Sequence, residues 1–269
     1  MKLNGFQKVK SIEEAFALAE QEGNIVLGGG AWLRLGNSKK NIAIDLDLLD
    51  LNTITVKDDM CHIGAMTTLY QIETSVELQR LYSGIISESA SKIMGVQVRN
   101  IATIGGTVCG KYGFSDLITP LLASGAILNF HKEGKITLEE FLLRKGKRKD
   151  ILIEVIIPMK KGLGAIEIFK KTSIDFSVIN VAVVNVTESE ELLLAIGSRP
   201  GVAKLTRLTK QEILEEAIID GEFNIHRLHE YVNTLIESYS FGSNQRASME
   251  YREQLAKVFV QKCIKEVLI

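Results

Sequence analysis

The chain has 269 residues, 46% hydrophobic and 24% charged, with a formal net charge of −1. This is globular composition, enough for one to three compact units, and the balanced charge excludes the strongly basic face of a nucleic-acid binder. Cys61, Cys109 and Cys263 lie far apart with no CxxC spacing, which excludes a zinc or iron–sulfur centre held by this chain alone. With no apolar leader, no membrane-length apolar run and an odd cysteine count, the expected location is a reducing cytoplasm.

Ser11 to Gly23, SIEEAFALAEQEG, reads as a helix. Ser11 and Glu14 have capping-box spacing, Ile12, Ala15, Phe16 and Ala19 share a face, and Gly23 ends it. NIVL is a short buried strand that runs into Gly28-Gly29-Gly30 and a helical turn, AWLRL. Asn41 to Leu46, NIAIDL, is the next strand, which completes a small α/β unit. TITVKDDMCHIGA reads as a hairpin turning at KDD. The segment from TTLYQ to SKIMG is mostly helical, whereas Arg99 to Asp116, RNIATIGGTVCGKYGFSD, carries almost no helix or strand pattern.

Beyond it, LITPLLASGA is a short helix, AILNF a strand, HKEGK a turn and ILIEVIIP a strand closed by Pro158. The basic run from Arg144 to Lys149 is a solvated loop, and Lys160 to Gly164 marks a boundary. VINVAVVNV and ELLLAIG flank TESE as an antiparallel pair. Three helical segments follow, KQEILEEAI, IHRLHEYVNTLIESY and MEYREQLAKVFVQKCIKEVL, with Cys263 on the core side of the last. The expected fold class is α+β in three parts whose sheets are antiparallel or mixed.

Two glycine loops carry the chemical signal. In VLGGGAWL, a strand enters a glycine run, which presents backbone N–H groups and lets a phosphate approach closely. A Rossmann reading fits poorly. Gly28 and Gly30 supply GxG, but Leu33 holds the third position; Asp45 follows Gly28 by 17 residues, with no room between them for a full crossover helix. Alone, the loop is equally a plain tight turn. In TIGGTV, Thr103 offers a hydroxyl, Gly105 and Gly106 offer two unobstructed N–H groups, and Ile101 and Ile104 are anchors. Asp116 either caps the next helix or accepts hydrogen bonds from sugar-like hydroxyls. Two such loops from separate units suit a dinucleotide held between them. His62, His131, His226 and His229 form no catalytic acid–base pair, and no catalytic residue is expected on this chain.

GVQVRNIATIGGTV, with an acid ten residues after Gly106, resembles the flavin-binding medium subunit of the xanthine dehydrogenase family. Those molybdenum hydroxylases include xanthine, nicotinate and carbon monoxide dehydrogenases. Gln97, Arg99, Asn100, Thr103, Ile104, Gly105, Gly106 and Asp116 match its pattern. SIEEAFALAEQ, AIDLDLLDLNTI, EVIIP, IGSRPGVA and ASMEYREQLAKVFV extend the likeness over the whole chain.

The resemblance implies an FAD-binding p-cresol methylhydroxylase-type fold. It has two α/β FAD-binding subdomains, residues 1–54 and 55–162, and a C-terminal α+β domain of antiparallel sheet and helices, residues 163–269. FAD lies between the first two. The cofactor-binding positions it implies are Val26, Leu27, Gly28, Gly29, Gly30, Ala31 and Trp32 in the first loop and Thr103, Ile104, Gly105, Gly106 and Thr107 in the second, the pyrophosphate being held at Gly28 to Trp32 and Thr103 to Thr107. Asp116 corresponds to a ribityl-binding acid and Leu152 to an apolar position near the flavin ring. Lys170 or Lys171, with Lys170 taken as the candidate, corresponds to a lysine close to the ring. Ala31 and Trp32 depart from the family's threonine and acid, keeping backbone binding but not side-chain bonds. Thr107 replaces an asparagine and Gly113 a proline, and Tyr112 or Phe114 is placed to stack on the flavin.

The function implied is electron relay in a heteromeric complex. A molybdopterin-binding large subunit oxidises substrate, a [2Fe–2S] small subunit passes electrons to this FAD, and the reduced flavin delivers them to NAD⁺ or another acceptor. The isolated chain is then expected to hydroxylate nothing and at most to reduce dyes with NADH. The alternatives are a self-contained flavin oxidoreductase of the same fold, or a non-enzymatic scaffold whose altered loops no longer hold FAD.

Overall fold

The computed structural model describes residues 2–146, 149–219 and 222–268, with residue 34 described through its backbone alone. Positions 147 and 148 of the basic run lie outside the described residues; its other members are exposed.

The first unit begins with a strand that the sequence reading leaves unassigned, β1 (Lys2–Lys8), followed by α1 (Ile12–Glu20), β2 (Ile25–Leu27) and β3 (Lys39–Asp45). Ser11 caps α1, its Oγ accepting from the Glu14 amide at 3.2 Å. The reciprocal half of the box is displaced by one residue, because the Glu14 carboxylate accepts from the Lys10 amide at 2.8 Å. Ala15 and Ala19 bury the predicted face of α1 against Ile44 and Leu46. The strands pair in the order β1-β3-β2, and both pairings are parallel. This corrects the expectation of antiparallel or mixed sheets: α1 carries the chain back so that β1 and β2 run the same way. Between β2 and β3 there is a single 3₁₀ turn, Leu33–Leu35, and no crossover helix.

In the second unit, β4 (Ile54–Lys57) and β5 (Met60–Gly64) form the expected hairpin. Its turn residues Asp58 and Asp59 both take left-handed φ, 51° and 55°, which gives the turn a twist matching the strands. The helical stretch is broken into α2 (Leu69–Thr74), α3 (Val76–Arg80), α4 (Ile85–Ser91) and α5 (Val96–Arg99). The main break lies at Tyr82, Ser83 and Gly84, all with positive φ.

The next segment corrects the sequence reading again. Ile104–Gly110 is a helix, α6, although three of its seven residues are glycines that disfavour one. It forms because Thr103 caps it and because Ile104 and Val108, four residues apart, are fully buried. Of the two expected anchors only Ile104 is buried; Ile101 is exposed. Then come α7 (Ile118–Ala123), β6 (Ile127–Phe130), β7 (Gly134–Thr137), α8 (Leu138–Leu143) and β8 (Leu152–Pro158). The sheet is antiparallel in the order β4-β5-β8-β6-β7.

The third unit is an antiparallel meander of β9 (Gly162–Phe169), β10 (Ile179–Val186), β11 (Glu191–Gly197) and β12 (Lys204–Thr209). Then follow α9 (Lys210–Ala217), the short strands β13 (Ile218–Ile219) and β14 (Glu222–Phe223), α10 (Ile225–Glu237) and α11 (Met249–Leu268). The largely apolar run of β10, interrupted by Asn180 and Asn185, is explained by burial on both faces. Ile179, Val181 and Val183 join the core beneath α10 and α11. The alternate residues Ala182 and Val184 join the core of the second unit. Cys263 is buried in the α11 core, as its position in the apolar stripe indicates. Among the described residues no helix is long and apolar enough to cross a membrane.

Candidate functional site

The first glycine loop leaves β2 and turns at Gly29 and Gly30, whose φ values of 75° and 69° are left-handed. None of the five amides from Gly28 to Trp32 donates to an acceptor among the described residues. A run of unpaired N–H groups through left-handed glycines is an anion-binding concavity. The second glycine loop differs from expectation. The Ile104 amide donates to Thr67 O at 2.9 Å, Gly105 to Ala65 O at 2.9 Å and Thr107 to Thr103 O at 3.0 Å. The Gly106 amide donates to the Thr103 hydroxyl at 3.1 Å. Its donors are spent on holding α6 in place, so the free donors are all in the first loop.

The second loop instead shapes the site. A Cβ on Gly28 would lie 2.8 Å from Thr103 Oγ1 and 2.9 Å from the Gly106 nitrogen, and a Cβ on Gly106 would lie 2.6 Å from Gly28 O. The two loops therefore touch backbone to backbone. They border a cleft of about 880 Å³ between the first two sheets, in the range of ligand sites. Val26, Gly28, Gly30, Ala31, Trp32, Thr103, Gly105, Gly106, Thr107 and Leu152 line it. Leu27, Gly29, Ile104, Asp116 and Lys170 do not. Lys40, Lys111 and Lys149 outnumber Glu22 and Asp150 on its walls, which suits an anionic ligand. Phe130 and Phe141, beside Leu152, give one end an apolar lining that the sequence reading did not assign.

Asp116 lies outside the cleft, in a chamber of about 40 Å³ that shares Trp32, Ala102, Thr107 and Tyr112 with it. It does not cap α7, whose N-cap position is Leu117; the Ser115 hydroxyl accepts from the Ile118 amide at 3.3 Å. One carboxylate oxygen of Asp116 accepts from the Asn180 amide at 3.1 Å and from the Ser177 hydroxyl. The other pairs with the Lys170 ammonium at 2.6 Å. Lys170 also donates to Lys92 O at 2.6 Å. Asp116 is buried and the Lys170 side chain is only 9% exposed, which makes this a paired and hydrogen-bonded charge largely withdrawn from solvent. Of the two lysines left open by the sequence, Lys170 is the one in the chamber; Lys171 is exposed.

Nothing in the sequence marks these two partners: Ser177 stands just before VINVAVVNV and Asn180 is a single polar residue inside it. Asn180 also accepts from Thr119 Oγ1 at 2.6 Å and donates to Ser198 Oγ at 3.2 Å, so β10 is tied to α7 through one side chain. Gly113, which stands in place of the family's proline, is explained by contact: a Cβ there would lie 2.6 Å from Gly201 O. Tyr112 and Phe114 stack on each other, with centroids 5.1 Å apart and planes at 18°. Among the described residues no group of three or more His, Cys, Asp or Glu residues is arranged to hold a metal.

Residues 2–160 match the family described as FAD binding domain in molybdopterin dehydrogenase, and residues 164–267 match the CO dehydrogenase flavoprotein C-terminal domain. The chain is 28% identical over 258 residues to the xanthine dehydrogenase FAD-binding subunit of Escherichia coli O157:H7, covering 86% of this chain and 83% of that one. It is 25% identical over 279 residues to the 6-hydroxypseudooxynicotine dehydrogenase complex subunit alpha of Paenarthrobacter nicotinovorans, covering 96% and 92%. Its fold is similar to that of a carbon monoxide dehydrogenase chain from Hydrogenophaga pseudoflava, with a TM-score of 0.83 at 21% identity over 99% of this chain and 97% of that one. The free amides and the anion-friendly cleft fit FAD, and both parts of the chain match: it belongs to the FAD-binding family of molybdopterin dehydrogenases, continued by a CO dehydrogenase flavoprotein C-terminal domain.

Proposed function

We propose that this chain is the FAD-carrying electron-transfer subunit of a multi-subunit molybdenum hydroxylase of xanthine dehydrogenase type. In this reading it works in the cytoplasm, with FAD-binding subdomains at 1–54 and 55–162 and a C-terminal domain at 163–269. A molybdopterin-binding large subunit and a [2Fe–2S] small subunit are its partners, and NAD⁺ or another acceptor takes the electrons. Bound FAD supplies the exchange between one-electron carriers and a two-electron acceptor. The observation that carries the reading is the row of unpaired amides from Gly28 to Trp32 in a loop that borders a large cleft.

Each part of the site has a role in this reading. The amides of Gly28 to Trp32 hold the diphosphate, and Lys40, Lys111 and Lys149 add positive potential around it. Val26 lines the cleft beside the first loop and Gly29 makes its turn, Leu27 and Ile104 shape the loops from behind, and Thr103, Gly105, Gly106 and Thr107 form the opposing wall. Leu152 keeps the apolar end dry. Asp116 fixes the Lys170 ammonium, a stationary positive charge that favours negative charge gained nearby on reduction. The chain supplies binding, orientation and electrostatics, and substrate oxidation belongs to its partners.

The test is the visible spectrum of the purified chain with release of its nucleotide. Flavin bands and one FAD per chain are expected, with NADH-dependent dye reduction at most and no xanthine oxidation. A colourless protein that ignores added FAD would sink the reading. Substrate turnover by the isolated chain would replace it with a self-contained oxidoreductase.

A further inference from the structure

Trp32 is the only tryptophan in the chain, and it stands at the end of the row of free amides. Its ring meets Phe176 with centroids 5.2 Å apart and Phe114 edge-on at 6.0 Å. Phe114 and Phe176 lie 4.0 Å apart, and Tyr112 stacks behind Phe114. Arg246 covers the far face of this group, its guanidinium 4.7 Å from the Phe176 centroid and paired with Asp175 at 3.2 Å. The four rings come from the first loop, the segment after α6 and the loop between β9 and β10. None belongs to a hydrophobic core, and all four are half-buried.

Their position gives them a task. Trp32 and Tyr112 line both the large cleft and the small chamber, so these side chains form part of the wall between the two. Behind it lie the Asp116–Lys170 pair and the apolar side chains of Leu69, Ile93 and Val98. A 40 Å³ chamber has room for about one water molecule, yet its lining, apolar and aromatic side chains with the Asp116–Lys170 pair, Asp175, Ser115 and Thr107 among them, joins apolar faces to polar groups as a pocket for a polar-edged aromatic ring does. The indole N–H donates to no acceptor among the described residues, so ring contacts alone hold the partition. Such contacts are individually weak and can be exchanged for contacts of the same kind with an incoming ring.

Building on the FAD reading above, we propose that Trp32 is the ring-contacting residue of the site. The flavin ring enters by displacing the indole from Phe114 and Phe176 and then lies against it, which opens the chamber to the Lys170 ammonium. The diphosphate end needs only the free amides and leaves the partition closed. Trp32, which keeps none of the side-chain bonds of the acid it replaces, thus becomes an aromatic contact that distinguishes a flavin dinucleotide from a plain nucleotide.

The experiment measures the emission of FAD bound to the full chain, with ADP as a probe that carries a diphosphate but no flavin ring. An indole in contact quenches flavin emission. Bound FAD is expected to be dimmer than free FAD in the wild type and severalfold brighter in Trp32→Phe and Trp32→Leu. ADP should compete with FAD in all three proteins with similar affinity, and should leave the near-ultraviolet dichroism of the single tryptophan unchanged. Bound FAD as bright in the wild type as in Trp32→Phe would overturn the inference and leave FAD binding intact. So would ADP altering the Trp32 dichroism as FAD does. Failure of the wild-type chain to retain FAD at all would overturn both the inference and the reading beneath it.

Discussion

Gly28 carries the sharpest steric demand at the site. A methyl group there would press on Thr103 Oγ1 and the Gly106 nitrogen, both within 3 Å. Overpacking of this kind costs about 1–3 kcal/mol, so Gly28→Ala is expected to weaken FAD binding by about fivefold or more in a fluorescence titration. The cysteines separate by environment. Burial pushes the Cys61 thiol up to about 11 and Cys263 higher still, whereas Cys109 is exposed and lines the cleft. At pH 8, a thiol-specific reagent should label one cysteine quickly in the native protein and three after denaturation, and bound FAD should protect that one. The buried thiols also set an alkaline limit. The unfolded Cys61 thiol ionises near 9, while the folded one keeps its proton to about 11. Across that window the unfolded state releases protons first, so rising pH favours unfolding by about 1.4 kcal/mol per unit for each such thiol. Urea midpoints measured from pH 8 to 11 should fall, and should fall less steeply in Cys61→Ala. Gly28 and Asp116 stand out in the sequence, but that Asp116 points at Lys170, Ser177 and Asn180 is decided by residues 54 to 64 positions away.

Among the elements, α6 shows the limit of propensity. Three glycines in seven residues argue against a helix, and the sequence reading sees only a loop. The helix persists because Thr103 Oγ1 satisfies the Gly106 amide while Ile104 and Val108 bury fully. Thr103→Ala should cost about 1 kcal/mol of stability and Thr103→Ser should restore most of it, as read from denaturant midpoints. α11 offers the opposite case, since its pattern was legible and its key residue was not. Arg252 lies within the helix at 1% exposure and donates to the carbonyls of Val178 and Ser198 and to Asn244 Oδ1. Nothing in hydropathy marks a buried arginine, because burial requires acceptors that arrive from other segments. Arg252→Met keeps the volume but strands two carbonyls, and is expected to lower stability by about 3 kcal/mol in urea unfolding. β1 is hard to read for a simpler reason: it is an edge strand on which Lys2, Leu3, Asn4, Phe6 and Lys8 are all exposed, so no apolar-in, polar-out alternation develops.

In the whole molecule, the meander sheet is shared. β10 gives one face to the helical layer and the other to the second unit, and Asn180 ties that second face to Thr119, Asp116 and Ser198. Asn180→Leu should leave these partners unsatisfied in a buried site and cost about 1–3 kcal/mol. Hydrogen exchange should then quicken together around residues 115–119 and 177–198, which would show the two units to be coupled through this contact; unchanged exchange at 115–119 would refute that. By itself the sequence determined the α+β class, the order of most elements, the core side of α1 and α11, and the two glycine loops with the cofactor they imply. Those features are written in local spacing: capping residues, apolar periodicity and glycine runs act on neighbours along the chain. The tertiary structure alone decided that the first sheet is parallel, that the free amides belong to the first loop rather than the second, and that Trp32 closes a chamber around Asp116 and Lys170. Each of these depends on which distant segment supplies the hydrogen-bond acceptor, the facing ring or the counter-charge, and local spacing carries no record of that choice.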